Sequence, residues 1–301
     1  MNRRYSILPL AVLLVWAAGC GSLDTGPSEP AYQGKLLHVW LDEGCRPLPN
    51  TWPRTEEAVR KMGKKAVPTL LLMLQGKYTP PEARFVAKAE NQAHGKTNLV
   101  DMVDYPSKGF DGLRALGPAA RGALPELKRL FKNHHNDAGL IYWVPLALAV
   151  ISPETVPLLR GGLTNENWTV RFACTDALFR VGTNAWVATP DLIKGLQDPT
   201  VHVRIYTVQL LGNLHRDPEH VLPALLKSAQ EEQEPTMRWL AMRSLGQYHT
   251  EAAAYIPALQ QILASTNAAD MSLRSRVTEA IEDIRSPAGS PPAGASRGIR
   301  D

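Results

Sequence analysis

Apolar residues along this chain keep a helical rhythm, and the rhythm itself recurs. Val170, Ala173, Cys174, Ala177, Leu178 and Val181 stand at offsets 0, 3, 4, 7, 8 and 11 from the first of them. The same offsets hold Val203, Tyr206, Thr207, Leu210, Leu211 and Leu214, and again Met237, Leu240, Ala241, Ser244, Leu245 and Tyr248. Leu273, Arg276, Val277, Ala280, Ile281 and Ile284 repeat them with one charged exception. Each set is one stripe of an amphipathic helix. A second marker, a proline with apolar residues two and six positions on, opens another helix at Pro68, Pro125, Pro157, Pro190, Pro223 and Pro257. From Pro125 its spacings are 32, 33, 33 and 34, whereas Pro68 to Pro125 is 57. One copy therefore carries an insertion near 77–100, itself mostly helix by its pattern. Two helices per period, repeated, predict an all-α chain in which each hairpin buries its face against the next.

The connection "LQDPTVHVR" at 196–204 shows how one helix hands over to another. An Asp before a proline stops the first helix and caps the second. The arginine that follows recurs as Arg171, Arg204, Arg238 and Arg274, at intervals of 33, 34 and 36 residues. Together, D-P-x-x-x-V-R and P-x-L-x-x-x-L resemble the HEAT-repeat family of armadillo-like solenoids, in its short bacterial form. The resemblance covers about residues 55–285, with the copy at 190–214 nearest the pattern. It implies a right-handed α-solenoid of about six to seven hairpins. It also implies structural roles, with Asp198 capping the turn and Arg171, Arg204, Arg238 and Arg274 bridging neighbouring turns. Asn165 stands where the cap belongs before Arg171. Gly63, Gly117 and Gly182 close equivalent helices, the expected place for a left-handed residue.

If offsets 0 to 11 face the core, offset 2 points about 200° away from offset 0. Phe172, Ile205 and Trp239 occupy it, and Tyr142 joins them when Leu148 is aligned with Leu178. One turn on, at offset 5, stand Thr175, Val208 and Met242. The expectation is an exposed apolar ladder of Tyr142, Phe172, Ile205, Val208, Trp239 and Met242. On the concave side of a solenoid such a ladder marks a site for a protein partner. The alternatives are scattered surface exposure, or an insertion folded back over these residues.

Composition narrows the function further. Only 7% of residues are aromatic, so the core is aliphatic. Thirty-three Lys and Arg against 29 Asp and Glu give +4. Loss of Arg3 and Arg4 with a cleaved leader leaves 31 against 29, or +2, too little for a nucleic-acid footprint. The start, "MNRRYSILPLAVLLVWAAGCGS", has a basic end, an apolar run from Ile7 to Trp16 and small residues before Cys20, the layout of a secretory signal at 1–20. "AAGC" resembles a bacterial lipobox but has Ala17 where that family usually has Leu. The resemblance implies lipidation of Cys20 and contact with a membrane only through that lipid. Gly21 is not the aspartate that retains some lipoproteins at the inner membrane, which leans toward the outer one. Cleavage after Gly19 gives a secreted or periplasmic protein instead. Residues 21–34 read as a flexible spacer, 35–285 as the solenoid and 286–301 as a disordered tail. Cys45 and Cys174 lie too far apart along a stack to form a disulfide.

Motifs for chemistry are weak. The GKT at 95–97 lacks the earlier glycine and the strand of a phosphate-binding loop. His134, His135 and Asp137 suit an inter-repeat loop better than a metal site. H-E-x-x-H and C-x-x-C are both missing from the sequence. The sequence therefore predicts no catalytic residue, metal or cofactor. The expected role is a protein-binding scaffold at the bacterial envelope. A HEAT-like lyase or other cofactor-processing enzyme is the alternative, resting on the repeat alone.

Overall fold

The computed structural model describes residues 28–45, 50–80, 104–133, 137–267 and 270–287. The leader with Cys20, most of the insertion with its GKT, His134 and His135, and most of the C-terminal tail lie outside the described residues.

The described chain is an all-α solenoid with one small strand pair at its start. Strands β1 (Ala31–Tyr32) and β2 (Lys35–Leu36) are antiparallel. Helices then follow in consecutive pairs. They are α1 (Leu37–Gly44) with α2 (Thr51–Met62), α3 (Val67–Leu74) with α4 (Tyr105–Leu116), and α5 (Leu124–Asn133) with α6 (Ala138–Ile151). Next come α7 (Val156–Gly162) with α8 (Trp168–Val181) and α9 (Thr189–Gly195) with α10 (Val201–Leu214). Last are α11 (Pro218–Glu231) with α12 (Pro235–Gly246) and α13 (Ile256–Ser265) with α14 (Met271–Arg285). The second helices α2, α4, α6, α8, α10, α12 and α14 lie side by side in that order. Residues 31–36, expected partly in a spacer, are instead tied to α1, because the Trp40 indole donates to the Tyr32 carbonyl at 3.1 Å.

Local chemistry sets the ends of these helices. Asp104, Asp137, Asn167 and Asp270 accept backbone N–H bonds at the starts of α4, α6, α8 and α14, as capping residues do. Gly63, Gly117 and Gly182 end α2, α4 and α8 at φ of 58°, 51° and 68°. Their ψ values of −139°, −129° and −141° lie outside the left-handed helical basin expected of them. Only glycine takes this conformation cheaply. It turns the chain into the 3₁₀ segments Gly63–Ala66, Gly117–Ala123 and Gly182–Ala188, which lead to the next first helix.

The core is a continuous aliphatic seam running the length of the stack, with Leu70, Leu113, Leu148, Leu178, Leu211, Leu245 and Ile284 all buried. Cys174 is buried in it as a free thiol, and burial pushes its pKa up. Cys45 is free and exposed.

Candidate partner-binding face

Each second helix touches its own first helix and the second helices on both sides. Its buried surface is therefore wider than the single stripe of a lone helical wheel. Thr175, Val208 and Met242 at offset 5 are fully buried. Val208 and Met242 consequently cannot belong to an outward ladder, and the expectation for them is corrected. Offset 5 lies only about 140° from offset 0, and lateral packing of α8, α10 and α12 closes over it.

Tyr142, Phe172, Ile205 and Trp239 at offset 2 are half-buried rather than fully exposed. Tyr142 and Phe172 cover each other and pack with aromatic neighbours. Phe110 on α4 stacks with Trp143 on α6 at 5.2 Å between centroids, and Trp143 meets Tyr142 edge-on at 4.9 Å. Tyr142 stacks with Phe172 on α8 at 6.1 Å, and Phe172 meets Tyr206 on α10 edge-on at 4.8 Å. Trp168, 48% exposed, extends this ribbon from Phe172 toward His202. Each such pair contributes about 0.5–1.5 kcal/mol beyond its buried area, so the ribbon holds its shape without a ligand.

A polar group sits beneath the rings. Asp176 is almost wholly buried, accepts a hydrogen bond from the Tyr142 hydroxyl at 3.1 Å and pairs with Arg180 at 3.2 Å. Burial and the adjacent Asp176 charge push the Tyr142 phenol up to about 12, so it remains a donor. Arg180 also lies over the Phe110 ring at 5.8 Å. Sequence reasoning missed Asp176 and Arg180, because charges at offsets 6 and 10 looked like ordinary solvated positions. Trp143 and Tyr206 were missed too, since offset 3 was read as core.

Trp239 forms a separate element of the same face. The Arg276 guanidinium lies 4.3 Å from its ring and that of Arg243 5.8 Å, a sandwich of cations about an indole. Ile205 on α10 stands between this element and the aromatic ribbon.

Of the recurring arginines, Arg171 and Arg204 bridge to the following hairpin, whereas Arg238 and Arg274, expected to do the same, bond only within their own hairpins. Arg171 donates Nε and Nη2 to both carboxylate oxygens of Asp198 at 2.6 and 2.9 Å. Asp198 in turn accepts the Thr200 N–H at 2.8 Å, so one carboxylate closes a junction and braces the turn before α10, whose N-cap is Thr200 and not Asp198. Burial raises the Asp198 pKa, but the Arg171 and Thr200 bonds outweigh it and leave the carboxyl below its usual range. Arg204 makes the same bidentate contact with Glu232 at 2.8 and 3.1 Å, and takes only the backbone carbonyl of Asp198. Arg238 and Arg274 reach backbone carbonyls, of Ala229 and of Leu263 and Thr266.

One further charged cluster lies at the N-terminal end. Glu29 accepts from the His38 ring at 2.9 Å, from the His38 N–H at 2.6 Å and from the Tyr78 hydroxyl at 2.6 Å. The Glu29 and His38 side chains are only 7% and 3% exposed, which closes the cluster to a substrate. It fastens the segment before β1 to α1 and to the chain leaving α3.

Residues 189–282 match the sequence family described as HEAT repeats. No curated protein matches the chain. Two engineered proteins of known crystal structure are similar in shape. One has a TM-score of 0.43 at 17% identity, over 82% of this chain and 96% of its own. The other has a TM-score of 0.42 at 16% identity, over 82% of this chain and 78% of its own.

Proposed function

We propose that this protein is a non-catalytic scaffold that binds another protein through the outward face of its second helices. The observation that carries the reading is the prearranged ribbon from Phe110 to Tyr206, with Trp168 exposed at its edge and Trp239 further along the face. Rigid aromatic side chains lose little freedom on docking and dominate the energetics of interfaces. The match to HEAT repeats supports the same reading, since such stacks offer extended recognition surfaces.

The reading includes export by general secretion and lipid attachment at Cys20, with the outer membrane as the favoured destination. The apolar run at Ile7–Trp16 and the "AAGC" that follows support it. Labelling cells with a clickable fatty acid tests it, with label expected on the native protein and absent from Cys20→Ser. Among the described residues, no helix is long and apolar enough to cross a membrane.

For the docking face, the test is quantitative capture after crosslinking in native envelopes, comparing wild type with Phe172→Ala/Trp239→Ala. Proteins enriched by wild type and lost from a folded double variant support the face. An identical set captured by both overturns it.

A further inference from the structure

Two successive junctions show what the recurring arginine binds. Arg171 and Arg204 each present Nε and Nη2 to both oxygens of one carboxylate, supplied by Asp198 and Glu232 of the following hairpin. Their Nη1 atoms are held by carbonyls of the turn before their own helix, Asn165 and Glu166 in one case and Asp198 and Pro199 in the other. At the next junction the pattern stops. Arg238 donates Nε to the Ala229 carbonyl at 3.3 Å, and among the described residues no carboxylate pairs with it. The turn ahead of α14 does contain Asp270, but that carboxylate accepts the Leu273 N–H at 3.0 Å as a cap.

Arg238 instead lines a groove of about 450 Å³ between the starts of α12 and α14, together with Trp239, Arg276, Thr236 and Ser272. The Arg276 guanidinium covers the indole at 4.3 Å and meets Glu279 only at 3.8 Å. Arg243 flanks the ring from its other neighbour position and has no carboxylate partner among the described residues. Nearby acids are already engaged: Glu232 by Arg204, Glu234 by the Thr236 N–H and Asp270 by its cap. Two guanidinium groups thus lie against one half-buried indole and a third, that of Arg238, lines the same groove, opposed by Asp270 on the wall and Glu279 beside Arg276. A site of this kind suits a ligand that is both anionic and apolar. The geometry at Arg171 and Arg204 shows that the anion which fits this arginine is a carboxylate, taken bidentately.

We infer that this groove binds a carboxylate-bearing, partly apolar segment of a protein partner. A partner Asp or Glu pairs with the terminal nitrogens of Arg238, whose Nε is held by the Ala229 carbonyl, and an adjacent apolar side chain packs on Trp239. The inference rests on the second-helix face being the docking surface and assigns the chemistry of what docks at its C-terminal end.

The test uses a short fluorescein-labelled peptide of Glu, Asp and Leu, its Gln/Asn counterpart and a single-stranded DNA of matching charge, followed by anisotropy on the full chain. The acidic peptide is expected to bind at least about tenfold more tightly than the amide peptide, given the strength of bidentate charge-assisted bonds. Its binding should weaken as salt rises to about 0.5 M. Arg238→Gln and Arg276→Gln should each weaken it severalfold, while Arg129→Gln, at a surface arginine of α5 paired with Glu126, leaves it unchanged. Arg276→Gln loses only the contacts with Trp239 and Glu279 and breaks no arginine hydrogen bond to another hairpin, so it remains informative even where Arg238→Gln unfolds. Equal binding of the amide peptide, equal binding of the DNA, or full affinity in the Arg276→Gln and Arg238→Gln variants overturns the inference. Loss of envelope partners from Phe172→Ala/Trp239→Ala without any acidic-peptide binding retires the groove but keeps the docking face. Arginine-dependent peptide binding with unchanged envelope capture supports the groove and retires the face.

Discussion

Replacing Asp198 by Ala removes three hydrogen bonds at once, all belonging to the junction between the α7–α8 and α9–α10 hairpins. Two are charge-assisted bonds from Arg171 at 2.6 and 2.9 Å, and the third is the turn bond from the Thr200 N–H at 2.8 Å. The paired side chains are 12% and 7% exposed, so solvent screens them far less than a surface pair. Loss of a single turn hydrogen bond costs about 1 kcal/mol, and loss of a partner to a charged group about 1.5–3 kcal/mol. Stranding a fully buried charge costs about 3–5 kcal/mol, but Arg171 keeps the Asn165 and Glu166 carbonyls and some contact with water. The expected loss is therefore about 3 kcal/mol for Asp198→Ala and roughly half that for Asp198→Asn, which keeps an acceptor oxygen for the Thr200 N–H. Urea unfolding followed by circular dichroism measures both. In a linear stack a weakened junction also reduces cooperativity, so the Ala variant should unfold with a shallower slope. The pH dependence has a definite sign. Because the folded carboxyl lies below its usual range, its contribution is present above the unfolded pKa of about 4 and is lost as pH falls through the folded value. Asp198→Ala should accordingly flatten part of the acid limb of stability. A loss under about 1 kcal/mol, or equal effects of Ala and Asn, would refute the reasoning.

The remaining predictions concern other parts of the stack. Glu29→Gln should destabilise the N-terminal hairpin at neutral pH and narrow its gap from wild type as pH falls, because hydrogen bonds to His38 and Tyr78 hold Glu29 below the usual carboxylate range despite burial; hydrogen exchange at α1 reads this directly. Met242→Ala should cost about 2–5 kcal/mol as a buried cavity, and a change within about 0.5 kcal/mol would restore it to the surface. Tyr142→Phe leaves Asp176 with Arg180 alone and should cost about 1 kcal/mol, measured by the same urea titration.

How much of this was legible in the sequence can be followed residue by residue. The helix pairs and most of their core stripe were legible, because a helix shows its own buried face as a period in its own sequence. The burial of Val208 and Met242 was not. It depends on second helices about one repeat away pressing from both sides, and no single helical wheel contains that information. The aromatic ribbon escaped for a related reason. Phe172 could be placed on a face from its offset, but its contacts with Tyr142 and Tyr206 depend on the register between three helices. The Glu29 cluster joins residues 9 and 49 positions apart, with no periodic signal between them.

The arginines mark the point where repetition stops being informative and departure from it begins to be. Arg171, Arg204, Arg238 and Arg274 look alike in sequence, and the first two make the same bidentate contact with the next hairpin. A carboxylate at that position binds one hairpin to the next, so every junction that has one gains stability and gives up a donor. Arg238 gives its Nε to the Ala229 carbonyl but has no carboxylate partner among the described residues, and beside it stands a tryptophan with two further arginines against its ring. The same arginine that closes the earlier junctions is therefore available, at this one, to a carboxylate from outside the chain.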